Sequence, residues 1–131
     1  MPLWKKLYAT VWLAFFSCIL IPRWIVPVVG LPLHILVGLG MLWITQLNMR
    51  QLAVLRVPDR LKRISKVTAG FAIFQIICGL ALGAAMQFAP GVAVVAAVLR
   101  GAHIVCALTI LAQAASVATA YDMWEEKEFG S

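Results

Sequence analysis

Residues 67–99 read VTAGFAIFQIICGLALGAAMQFAPGVAVVAAVL, a stretch without a single charged side chain. About 20 apolar residues suffice for one helix to cross the hydrocarbon core of a bilayer, so this run is too long for a single crossing. Ala89-Pro90-Gly91 sits inside it and marks a turn, because proline and glycine punctuate helices more strongly than any other residues. The stretch therefore reads as one helix ending before the turn and another starting after it.

Working outward, the same reading holds on both sides. Leu7 to Pro22, Trp24 to Met49 and Gly101 to Tyr121 are also free of charge. The cluster of Pro22, Pro27, Gly30 and Pro32 separates the first two runs, with Pro32 suited to a first helical turn. The basic-then-apolar start of the chain resembles a signal peptide but lacks a small-x-small cleavage site, and it reads as a retained first helix. The expectation is one transmembrane domain over residues 1–131. Its four helices run at about 4–25, 30–54, 60–88 and 92–124, in an all-α, up-down-up-down bundle. Residues 125–131 read as a solvated end.

Composition agrees. Of 131 residues, 63% are hydrophobic and 12% charged, against about half and about a quarter in an ordinary soluble domain. A formal charge of +6 brings nucleic acid to mind, but the basic residues form no stripe on a polar surface. Lys5 and Lys6 precede the first helix, and Arg50, Arg56, Arg60, Lys62, Arg63 and Lys66 crowd the link between the second and third. Arg23 and Arg100 fall at the opposite ends. By the positive-inside rule both termini and the basic link are cytoplasmic, in a multi-pass protein of the cell membrane whose basic link also meets anionic lipid. Trp4, Tyr8, Trp24, Tyr121 and Trp124 suit interfacial belts, although Tyr8 and Trp12 can also pack inside. Cys18, Cys78 and Cys106 lie in apolar runs without metal-ligand spacing and read as small buried hydrophobes.

Both histidines, His34 and His103, fall inside these runs, where an ionisable side chain is costly and marks a functional site by default. Counted from Asn48 and Ala120, they stand 14 and 17 residues up their helices, roughly 21 and 26 Å, and thus nearly level toward the outer side. In an up-down-up-down bundle the second and fourth helices are diagonal and parallel, with axes roughly 11–14 Å apart. Two inward histidines across that gap can hold one haem iron. Gly30, His34, Gly38, Thr45 and Asn48 share one stripe of the second helix; Gln75, Gly79 and Gly83 share one on the third; Arg100, His103, Ala107 and Ala114 align on the fourth. The glycines either make room for a flat macrocycle or let helices approach closely. Arg100 either pairs with a haem propionate or snorkels to headgroups. Each histidine alone also reads as a polar residue satisfied by a carbonyl or by Gln75. Every acidic residue, Asp59, Asp122, Glu125, Glu126 and Glu128, lies on the cytoplasmic side, which disfavours a proton relay between the histidines.

The order LHILVGLGMLW, a basic link, RISKVTAGFAIFQIICGLALG and LRGAHIVCALTILAQAA resembles one half of heme A synthase over residues 31–118, with much of the pattern shared by CopD-like small membrane cytochromes b. The resemblance implies a four-helix bundle holding a haem between two histidines, carried here to His34 and His103, with Gln75-Ile-Ile-Cys-Gly79 matching a Gln-x-x-x-Gly segment between them. Two features depart from it. Heme A synthases have two bundles where this chain has one, so a homo-oligomer would have to supply both. They also use an outer acidic residue that is missing here. The oxidase activity is therefore not carried over, and whether the chain is an enzyme stays open.

The expected function is a b-type haem protein for electron transfer or haem handling, its site formed by His34, His103, Arg100, Gly38, Gln75 and Gly79. Its electron partner would be a quinone or a redox protein. The competing expectation is a haem-free accessory subunit of a larger respiratory or transport complex; a small transporter comes third.

Overall fold

A computed structural model describes residues 2–20, 27–88 and 93–129. Among them the chain is helical with short links: α1 over Leu3–Phe15, running into a π-helical turn at Phe16–Leu20, α2 over Pro27–Val54, α3 over Asp59–Phe88 and α4 over Ala93–Phe129. The fold is all-α. Three helices, in the stretches Gly30–Val54, Asp59–Gln87 and Ala93–Phe129, are long and apolar enough to cross a membrane, with mean hydropathy of 1.5, 2.0 and 2.1. The first helix, expected over 4–25, is described only to Leu20 and is not one of the three; residues 21–25 lie outside the described residues.

The ends follow local chemistry. Helix α2, expected from about residue 30, is described from Pro27. Pro32, expected in the first turn, consequently falls in the second, inside the helix. Asp59 stands in the first turn of α3, where a carboxylate meets the positive end of the helix dipole. The last helix runs past the expected end near 124 to Phe129. Lys127 in its last turn complements the dipole, and Phe129 packs edge-on against Trp124 with centroids 5.7 Å apart.

Each helix packs on two neighbours in the cyclic order α1, α2, α3, α4, which makes α2 and α4 diagonal. Side-chain pairs give the direction where two lie along one helix pair. Gln46 meets Ala69 and Gly38 faces Ile76, and Thr68 meets Gln113 while Gln75 meets His103, so α2 and α3 run antiparallel, as do α3 and α4. Helix α1 is tied to α2 by Thr10 and Asn48 and to α4 by Tyr8, which donates to Asp122.

The surface is the inverse of a soluble bundle's. Trp43 is 69% exposed and Leu36, Leu80, Val94 and Val98 are similarly bare, while Thr10, Thr45, Asn48, Ser65 and Thr68 are buried. Apolar side chains facing outward and hydrogen-bonded polar ones facing inward suit a lipid solvent. Two apolar clusters lie along the bundle: Leu7, Leu52, Val57, Leu61, Val117, Ala118 and Tyr121 near the basic link, and Ala14, Met41, Ala72, Cys106 and Ile110 farther from it. Tyr121, expected in an interfacial belt, is buried in the first cluster, because α1 closes over that face of α4. Trp12 is exposed. Cys78 and Cys106 are buried, and all three cysteines are free thiols.

Candidate functional site

On α2 the buried positions Met41, Thr45 and Asn48 recur at three- and four-residue steps, which defines its inward face. His34 lies two turns before Met41 on that side and is half-buried. On α4, Cys106, Ile110 and Ala114 define the inward face, and His103 lies three residues before Cys106. The two imidazoles meet across the diagonal with ring centroids 5.9 Å apart and planes inclined at 58°.

Helix α3 supplies the other two neighbours. Gln75 Nε2 lies 3.1 Å from His103 Nε2. Gly79, one turn farther on, passes so close to the ring that a Cβ built there would stand 3.1 Å from His103 Cε1 and 3.6 Å from Nδ1. The glycine is thus filled by the imidazole itself. With the Gln75 amine donating to His103 Nε2, Gln75 Oε1 and His103 Nδ1 are buried without a hydrogen-bond partner among the described residues. Turning the amide over lets His103 Nε2–H donate to Oε1, which leaves Nδ1 with a free lone pair. Nδ1 is left over either way.

His34, His103, Gln75 and Gly79 therefore form one cluster, and two other expected members stand apart from it. A Cβ at Gly38 would meet Ile76 Cδ1 at 3.5 Å, an ordinary contact, so that glycine faces α3 and not a histidine. Arg100 is exposed, one turn from His103 toward the start of α4. Gly83 has nothing within 4 Å of a built Cβ, so the Gly79-x-x-x-Gly83 pattern is not a continuous helix seam.

Donor count bears on what the cluster can hold. Among the described residues no group of three or more His, Cys, Asp or Glu side chains could enclose a metal ion. Two imidazoles alone make a poor cage for a bare ion, which takes four or more ligands. They suffice for a haem iron, whose porphyrin supplies the other four nitrogens. With metal–nitrogen bonds of about 2 Å and ring nitrogens roughly 1 Å from the ring centre, two imidazoles sharing one metal have centroids about 6 Å apart. The observed 5.9 Å lies at that length and equally within the range of ordinary ring contacts, and His103 Nε2 faces Gln75. Ligation through Nε2 of His103 requires the Gln75 amide to release it.

Sequence reading placed Thr45 and Asn48 on the stripe with His34 but gave them no role. With Thr10, Ser65, Thr68 and Gln113 they form a second polar layer between the two apolar clusters. Its signal was polar residues at helical spacing, all but Ser65 within charge-free runs. Comparison with protein-family models, with characterised proteins and with solved structures returns no match for this chain.

Proposed function

We propose that the chain is an up-down-up-down transmembrane bundle of the cell membrane, with both termini cytoplasmic, that binds one b-type haem near its outer face. His34 and His103 are its axial ligands. The observation that carries this reading is the meeting of the only two histidines, from diagonal helices, at the separation two imidazoles take across one metal. A bound haem supplies one-electron redox chemistry, serving electron transfer with a quinone or redox protein, or haem handling. The chain's own part is to hold the axial pair in an apolar interior, with Gly79 leaving room for the His103 ring and Gln75 giving up its bond to Nε2 when that nitrogen ligates. Arg100, an exposed guanidinium one turn outward of His103, is the partner for a propionate. Replacing it, Arg100→Leu, lowers haem retention or the midpoint potential while the axial ligands stay; redox titration reads both.

A second reading, a haem-free accessory subunit of a larger membrane complex, draws on two contacts. Gln75 holds His103 Nε2, and Ile76 covers the Gly38 face. A visible spectrum of the purified chain separates the readings. A sharp reduced α-band belongs to the haem protein, and a featureless spectrum after haemin addition belongs to the accessory subunit. Oxidase chemistry is outside the proposal, since no carboxylate is available in the outer half of the bundle.

A further inference from the structure

The second polar layer lies away from the histidines and stands whether or not haem is bound. Four helices meet around a cavity of about 20 Å³ lined by Thr10, Thr45, Asn48, Ser65, Thr68 and Ala114 among others, room for about one water. Asn48 is only 4% exposed. Its Nδ2 donates to Thr10 Oγ1 at 2.8 Å, but its Oδ1 has no partner among the described residues.

The hydroxyls around it are committed in one direction. Thr10 donates to the Lys6 carbonyl at 2.8 Å, Thr45 shares its hydrogen between the Met41 and Leu42 carbonyls at 2.9 Å each, and Thr68 shares its hydrogen between the Ile64 carbonyl at 2.9 Å and Gln113 Oε1 at 3.0 Å. Each hydroxyl has one hydrogen, so these oxygens keep only lone pairs to offer the cavity. The wall is therefore rich in acceptors, and its orphan is also an acceptor. Ser65 is the one hydroxyl there able to give a hydrogen inward. Such a wall calls for a small guest that donates two hydrogen bonds and accepts one.

We propose that this cavity is a binding site for a single resident water, which donates to Asn48 Oδ1 and to a threonine oxygen and joins α2 to α3. The Asn48–Thr10 bond extends the link to α1. A sodium ion suits the oxygens but not the charge. No acidic residue lines the cavity, and a cation in an uncharged site within an apolar bundle loses its hydration without a counter-charge. Apolar residues lie on both sides along the bundle, Leu52 and Leu61 toward the basic link and Met41 and Ile110 beyond.

Radiolytic hydroxyl labelling of the full chain in lipid nanodiscs tests this, because radicals form where water is held. Leu7 lines the cavity and is 3% exposed; Leu52, in the adjoining apolar cluster, is 0% exposed and does not line it. With water resident, Leu7 is modified severalfold faster than Leu52. Asn48→Leu, which removes the acceptor, and Ala114→Val, which fills the cavity from the opposite wall, each bring Leu7 down to the Leu52 rate. Equal rates for the two leucines in the unsubstituted protein overturn the proposal. So does fast Leu7 labelling that survives in a folded variant, and Ala114→Val decides if Asn48→Leu does not fold. Labelling in sodium chloride and in choline chloride of equal ionic strength is expected to agree. Protection by sodium alone assigns the cavity to the cation and overturns the water.

Discussion

His103 sits in a space that Gly79 keeps open. Gly79→Ala places a methyl 3.1 Å from Cε1, so the imidazole or α3 must shift, and overpacking of this kind costs about 1–3 kcal/mol. Gly38→Ala meets Ile76 at 3.5 Å and gains up to about 1 kcal/mol of helix propensity. Thermal unfolding in detergent should show the first variant lowered and the second unchanged or raised; the reverse order would mean that His103 does not occupy the Gly79 face. Both glycines looked alike in the sequence, each a turn from a polar residue on a helix stripe. Spacing locates a face but not which side chain of the neighbouring helix fills it, and that decided between them. Gln75 was legible as a partner for a histidine because polar residues in an apolar run must find one another. That Asn48 would retain an unpartnered oxygen was not legible, since it depends on the rotation of three threonine hydroxyls on three helices.

At the level of elements, the charge-free runs and the proline–glycine turns set the helix order, and the described helices follow it. The ends were read less well, because they depend on single residues. Pro32 lies inside α2, where its missing N–H breaks a bond that the helix would otherwise make to the Val28 carbonyl. Pro32→Ala restores that donor, so α2 should gain stability on the order of 1–3 kcal/mol. Slower amide hydrogen exchange near residue 32 and a raised melting midpoint are the expected results. Unchanged exchange and a lowered midpoint would show that Pro32 itself is needed for packing. The extension of α4 to Phe129 was hidden for a different reason: its charged tail resembles a solvated end by composition, whereas Glu and Lys are also good helix formers.

For the whole molecule, orientation rests on six basic residues between Arg50 and Lys66. In a variant whose native cysteines are replaced by alanine, Arg56→Cys and Arg100→Cys, both at exposed positions, should divide cleanly. An impermeant maleimide added to intact cells should label position 100 and not 56, and the opposite pattern would invert the bundle. Ser65, which the charge pattern alone would offer as a labelling position, is buried and unsuited to the purpose. The diagonal meeting of His34 and His103 was legible from their heights on two parallel, diagonal helices, because rise per residue and bundle connectivity leave little freedom. What the pair holds was not, since a bis-histidine haem site and two satisfied interior histidines place the same residues at the same depth. The most direct test is the reduced visible spectrum of the full chain after haemin addition, recorded beside His34→Ala and His103→Ala. A low-spin reduced α-band in the unsubstituted protein, lost or shifted in each variant, is the result expected of an axial pair. A featureless spectrum, or a band that both variants keep unchanged, would contradict it.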